Sequence, residues 1–200
     1  MKPFTFGTGY IDFMYADLND LADCIRNIEG LIEQKLANSP SYSEQQFPNT
    51  VRNAFFMSCY TQLETYLNVI CRNCQLDQNL KISFEDMAQN GIARAMLYFE
   101  KALNLELPDK KNWSKIQQYR QLRNIIVHNG GRVEERELKK IKKILGDVSW
   151  VHLDTFNHLK LERNFNLEFI SLQIEFLREI YIVLNQFTPE YEDEFGGQFD

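Results

Sequence analysis

Residues 120–132 read Arg-Gln-Leu-Arg-Asn-Ile-Ile-Val-His-Asn-Gly-Gly-Arg. Arg120, Asn124 and His128 recur every four positions, so on a helix they form one polar row beside the apolar Ile126 and Val127. Arg123 lies next to Asn124 and about 140° round the helix from His128, so it meets that histidine only through its long side chain or across a dimer. His128 falls in the last turn before Asn129-Gly130, where free carbonyls and the helix dipole favour a protonated imidazole. A group that exchanges protons near neutral pH is expected there. The same spacing also suits a histidine that merely caps a helix, with arginines on its surface.

Other candidate chemistry is thinner. Cys71-Arg72-Asn73-Cys74 has the spacing of half a zinc site, but no second Cys or His pair accompanies it, and His128, His152 and His158 are spread over unrelated segments. Packed thiols are the expectation. Gly7-Thr8-Gly9 is too short for a phosphate loop, and the chain has no G-x-S-x-G, H-E-x-x-H or Walker string. Four cysteines and no apolar leader in the opening Met1-Lys2-Pro3-Phe4-Thr5-Phe6 suit reduced thiols in the cytoplasm. No apolar run is long enough to span a membrane.

The formal charge of −6 argues against a polyanion partner until its distribution is considered. Between Asp109 and Lys143 eleven cations face four anions, a local balance of +7. Lys110, Lys111, Lys115, Arg132, Lys139, Lys140 and Lys143 belong to this segment, which reads either as a polyanion surface or as a solvated helix face. Beyond Pro189 the balance reverses, and residues 188–200 read as an acidic, flexible tail.

The elements that must position these groups are helical. Gly and Pro supply only 14 of 200 residues, while 26 aromatics supply core mass. Apolar residues at steps of three and four predict a helix from Asp12 to about Leu36, interrupted by Ser39-Pro40-Ser41. A second, central helix runs from about Asn49 to Cys71, with apolar residues over much of its circumference. A shorter helical piece at 84–104 ends at Leu107-Pro108, and the motif helix spans Trp113 to His128, stopped by Gly130 and Gly131. Residues 134–145 suggest a short helix, 151–161 a small hairpin, and 166–187 the final helix. One all-α helical bundle over residues 1–187 follows.

The string Arg123-Asn124-Ile125-Ile126-Val127-His128, an R-x4-H pattern with Asn after the arginine at the end of a late helix, resembles the HEPN superfamily (higher eukaryotes and prokaryotes nucleotide-binding). The surrounding "LRNIIVHNGG" is especially similar to HEPN proteins of prokaryotic toxin and phage-defence loci. Glu64, a lone acid within "SCYTQLETYLNVIC", looks like the acid common in the second helix of such proteins. The resemblance covers most of residues 12–187, the motif helix being its specific part. Toxins of this kind that are silenced by nucleotidylation carry a Tyr two residues after the motif histidine, where this chain has Gly130, so that silencing is not expected here.

The resemblance implies a HEPN-like bundle and a metal-independent, cofactor-free endoribonuclease. Arg123, His128 and Asn124 would form its catalytic set, with Arg120 and Glu64 in support, the acid either orienting an arginine or serving as a buried acid paired for structure. RNA brings its own nucleophile, the 2′-hydroxyl, so the protein need only move protons and stabilise a phosphorane. The lysines and Arg132 of the basic segment would contact RNA, a homodimer would share the site, and an antitoxin or defence-system protein would be a partner. A HEPN-like module that binds partners or dimerises without cleaving is the alternative reading.

Overall fold

The computed structural model describes residues 8–38, 42–105 and 110–185. The Ser39-Pro40-Ser41 interruption, the Leu107-Pro108 break and the acidic tail lie outside them.

Helix α1, Thr8–Asn38, buries Met14, Leu18, Ala22, Ile25 and Ile32, the single stripe that its periodicity predicts. Helix α2, Tyr42–Asp77, buries residues on a much wider arc, from Phe56 and Cys59 through Leu63 and Leu67 to Cys74. It therefore sits centrally, in contact with α1, α3 (Ile92–Lys101), α4 (Lys110–Asn129) and α6 (Phe165–Asn185). Helix α5, Leu138–Asp147, is short and buries Ile141 and Ile144. The result is a mainly α-helical single domain. Among the described residues no helix is long and apolar enough to cross a membrane.

Two segments depart from expectation. Helix α2 begins at Tyr42 rather than near Asn49 and runs through Pro48. A proline removes only one rung of the hydrogen-bond ladder near a helix start, and just before it Lys35 Nζ of α1 lies 5.0 Å over the Phe47 ring. Residues 84–104 are not one helix. Phe84–Asp86 form a 3-10 turn, with Ser83 Oγ accepting the Glu85 N–H, and α3 begins only after Gly91, whose φ of +61° is left-handed. Phe84 is buried edge-on against Tyr98 at 5.6 Å, and a straight helix could not fold its ring back onto α3.

The hairpin is present. Strands β1, Val151–Leu153, and β2, Leu159–Leu161, pair antiparallel, His152 opposite Lys160. The free edge of β2 is completed from two distant places. Leu159 N–H donates to Gly131 O and Val133 N–H to Asn157 O, both at 2.9 Å, so the residues after α4 make an isolated antiparallel bridge beside β2, Arg132 opposite His158. Farther along, Asn49 of α2 acts as a strand would: its Oδ1 accepts the Leu161 N–H at 2.9 Å and its Nδ2 donates to Leu159 O at 3.4 Å. Arg52 Nη1 donates to Leu161 O at 3.0 Å.

Arg52 also joins α2 to α1. Its Nε and Nη2 donate to the two carboxylate oxygens of Glu29 at 2.8 and 2.7 Å, and Glu29 is only 3% exposed. Removing one member of such a pair strands the other as a buried charge. Arg52→Ala is therefore expected to lower the unfolding free energy by about 3–5 kcal/mol, read by urea denaturation. Adding Glu29→Leu should recover part of that loss; equal stability of Arg52→Ala and the parent chain would contradict this account.

Candidate functional site

The predicted stop of the motif helix is where the structure ends α4. Gly130 and Gly131 take φ of +58° and +86°, and the Gly131 N–H reaches back to Ile125 O at 3.1 Å. A β-carbon on either glycine would meet open space, so the backbone conformation, which a Cβ would strain, is what calls for glycine there. His128 is exposed at this end of the helix.

One turn earlier the polar groups are half-buried and held. The Arg123 guanidinium lies 5.4 Å over the ring of Tyr60 on α2, and its Nη1 donates to Asn124 Oδ1 at 3.3 Å. Arg120 Nη1 donates to Gln117 Oε1 at 3.4 Å. Tyr60 is buried, and burial pushes its phenol up to about 12; Arg120 and Arg123 draw it down and Glu64 adds to the rise. These four side chains thus share one electrostatic neighbourhood along the seam between α2 and α4.

Glu64 differs from the role expected of it. Among the described residues it forms no ion pair with an arginine. Its carboxylate lies against Gly91 at the amino end of α3, where a β-carbon on that residue would come within 2.7 Å of Glu64 Oε1. A carboxylate at a helix amino terminus meets unpaired N–H groups and the positive end of the dipole, a favourable setting for negative charge.

The basic segment divides in two. Lys110, Lys111 and Lys115 occupy the first turns of α4, and seventeen residues of helix, about 25 Å, separate Lys111 from His128. Arg132 and the exposed Lys139, Lys140 and Lys143 of α5 follow the motif instead. Only this second group lies next to the motif's histidine along the chain.

Two histidines that sequence spacing separates from the motif are brought toward it by the hairpin. His158 pairs across strands with Arg132, and His152 with Lys160. Asp154 Oδ1 accepts the N–H groups of Phe156 and His158, both at 2.9 Å, and lies 3.7 Å from His158 Nδ1, while its Oδ2 lies 3.4 Å from Lys160 Nζ. Burial raises the Asp154 carboxyl, but those N–H donors and Lys160 outweigh it and hold the group below its ordinary value. The signal available in the sequence was the alternation of Val151, Leu153, Leu159 and Leu161 with His152, His158 and Lys160, weak because each strand is only three residues long.

Cys71 and Cys74 are fully buried, and Cys71 Sγ donates toward Ala95 O at 3.8 Å. Burial raises the Cys71 thiol, with Cys74 adding to the rise, and it pushes Cys59 and Cys74 up to about 12. Among the described residues no group of three or more His, Cys, Asp or Glu side chains is arranged to hold a metal ion.

The chain matches no protein-family model, no curated protein and no solved structure.

The thiolate is the reactive form of cysteine, so at about pH 8 a thiol reagent should label the exposed Cys24 alone in the folded protein. Cys59, Cys71 and Cys74 should react only after denaturation, as counted by mass spectrometry. Rapid labelling of Cys71 or Cys74 in the native state would contradict their packing role.

Proposed function

We propose that this chain is a metal-independent endoribonuclease of the HEPN type that acts as a toxin or phage-defence effector. The observation that carries the reading is the contrast within one helix. Arg123 is fixed between the Tyr60 ring and Asn124, while His128, five residues on, is exposed at the helix end. A held cation and an exposed imidazole on one helix supply the two kinds of group that transesterification of RNA uses.

In that reaction the RNA 2′-oxygen attacks the adjacent phosphorus as its proton leaves to a base. The bond from phosphorus to the 5′-oxygen then breaks, with a proton delivered to that oxygen. The products are a 2′,3′-cyclic phosphate and a 5′-hydroxyl. His128 moves protons, and the planar Arg123 fork stabilises charge on the equatorial phosphorane oxygens. Asn124 orients Arg123, and Arg120 and Glu64 tune the seam from which Arg123 projects.

One protomer offers a single motif histidine where in-line displacement uses both an acid and a base. A two-fold homodimer with its motif helices facing supplies two His128 and two Arg123. Control of such an activity calls for an antitoxin or defence-system protein bound to the same chain.

Purified protein is expected to cut single-stranded RNA in excess chelator, leaving cyclic phosphate ends visible by mass spectrometry. His128→Ala and Arg123→Ala should each lower the rate at least about 100-fold. Because one side chain is exposed and the other is stacked at a half-buried position, the stability change should stay within about 1 kcal/mol. Activity that needs an added divalent ion would refute the mechanism, and intact cleavage by both variants would move the site elsewhere. Inactivity on all RNAs, with a partner protein bound instead, would favour the non-cleaving module.

Sedimentation should give a dimer of the 23.7 kDa chain. Mixed dimers of parent and His128→Ala chains should lose most of the activity. A fully active monomer would rule out the shared site.

A further inference from the structure

The β1–β2 hairpin and the antiparallel bridge of Arg132 to His158 make one small surface with two unlike faces. Val133, Leu159, Leu161 and Val151 point inward and are buried. Strand alternation puts Arg132, His158, Lys160 and His152 together on the opposite face. Arg132 and His158 form a cross-strand pair, Lys160 follows two residues along β2, about 6.6 Å away, and His152 lies across from Lys160. The row begins four residues after His128 and runs away from the motif helix.

Two exposed aromatics bracket it. Phe156, in the hairpin turn two residues before His158, is 70% exposed, and Trp150, just before β1, is 44% exposed. Neither ring belongs to the core cluster. Past Lys160 and His152 a groove of about 290 Å³ opens toward α2, lined also by Pro48, Asn49 and Arg52.

We propose that this face is a binding track for single-stranded RNA, its phosphates lying along Arg132, His158, Lys160 and His152 and its bases stacking on Phe156 and Trp150. The inference rests on the ribonuclease reading for its choice of nucleic acid and adds to it the path the strand takes beyond the motif. Cations at strand spacing follow a backbone, and exposed rings stack bases of any identity; together they form the arrangement that binds unpaired strands. A duplex hides its bases and has no use for the rings.

The face also carries two carboxylates. Asp154 Oδ1 is engaged by two backbone N–H groups while its Oδ2 lies 3.4 Å from Lys160 Nζ, which also donates to Gln46 Oε1 at 2.9 Å, and Glu162 Oε1 lies 3.0 Å from His152 Nδ1. Glu162 thereby positions His152, and Asp154 with Gln46 fixes the Lys160 ammonium on the same face. Arg132 itself is exposed, with no partner among the described residues, and is the cation most available to a phosphate.

The test is fluorescence anisotropy with a labelled 2′-O-methyl oligoribonucleotide, which lacks the nucleophile and cannot be cut. Arg132→Gln with Lys160→Gln should weaken binding at least about tenfold and reduce the salt slope by about 1.4, the value for two lost contacts to a single strand. Phe156→Ala should weaken the single strand about tenfold, roughly one stacked base, and leave binding of duplex RNA unchanged. Thermal melts equal to the parent show that the variants are folded. His152→Gln with His158→Gln, which keeps both cations, serves as a second probe of the row.

Unchanged affinity in all these variants, with cleavage still lost in His128→Ala, would overturn the track and leave the ribonuclease reading standing. Binding that depends on the track in a chain that cuts no RNA would sustain the track and overturn that reading. No RNA binding by the parent chain would overturn the track outright. An equal loss for single-stranded and duplex RNA in Phe156→Ala would overturn the stacking role.

Discussion

Five aromatic rings hold the helices that carry the candidate site. Phe56 of α2 meets Phe165 and Phe169 of α6 edge-on at 5.0 and 5.3 Å, and Tyr119 of α4 stacks on Phe169 at 4.5 Å. Tyr60 stacks on the same Phe169 at 6.3 Å. Each such pair adds about 0.5–1.5 kcal/mol beyond the area it buries, and together they fix the rotation of α4 against α2. Arg123 follows one turn after Tyr119, and the ring beneath its guanidinium is Tyr60 itself. The position of the cation is thus a by-product of core packing. A rotation of α4 by one residue would break the Tyr119 stack and turn Arg123 away from Tyr60. Even the Tyr119 hydroxyl is buried without a hydrogen-bond partner, its phenol raised by that burial, which indicates how strongly the ring contacts dominate there.

Much of this was legible in the residues alone, for reasons that differ by element. The stripe of α1 and the stop of α4 were clear because one amphipathic period and one glycine pair each dictate a backbone shape. The start of α2 was not, because Pro48 carries a strong local signal while contacts such as Lys35 with Phe47 join residues far apart. Residues 84–104 misled for the opposite reason. Their apolar spacing suits a helix, yet Phe84 is drawn under Tyr98 and the chain must turn at Gly91. The motif row could be read from spacing, but its partners Tyr60 and Gly91, and the approach of His158 to Arg132, depend on pairings across the fold that no local pattern encodes.

Charge behaves in the same way. A run of eleven cations over 35 residues suggests one patch, but α4 is a rod and carries its first lysines to the far end from His128. What adjoins the motif is the smaller set after Gly131, to which the hairpin adds Lys160 and two histidines. The chain remains acidic as a whole, so this local field is bounded, and salt at physiological strength screens it beyond about 8 Å. Any anion that meets the motif end would therefore be held through contact more than through long-range attraction.

The edge of β2 sets an order of events on the ribosome. Its hydrogen bonds to Asn49 and Arg52 join positions 109 to 112 residues apart, and Tyr119, besides meeting Phe56 upstream, packs on Phe165 and Phe169 downstream. The motif helix is translated before any of these downstream groups exists. Until Phe169 has emerged, a nascent chain has the motif helix held only on the side that α2 offers, through Phe56 and Tyr60, with no β2 beside Arg132. Closing loops of this length is also intrinsically slow. Translation thus works as a timer, and the arginine and the histidine reach their final setting only when most of the polypeptide has been made.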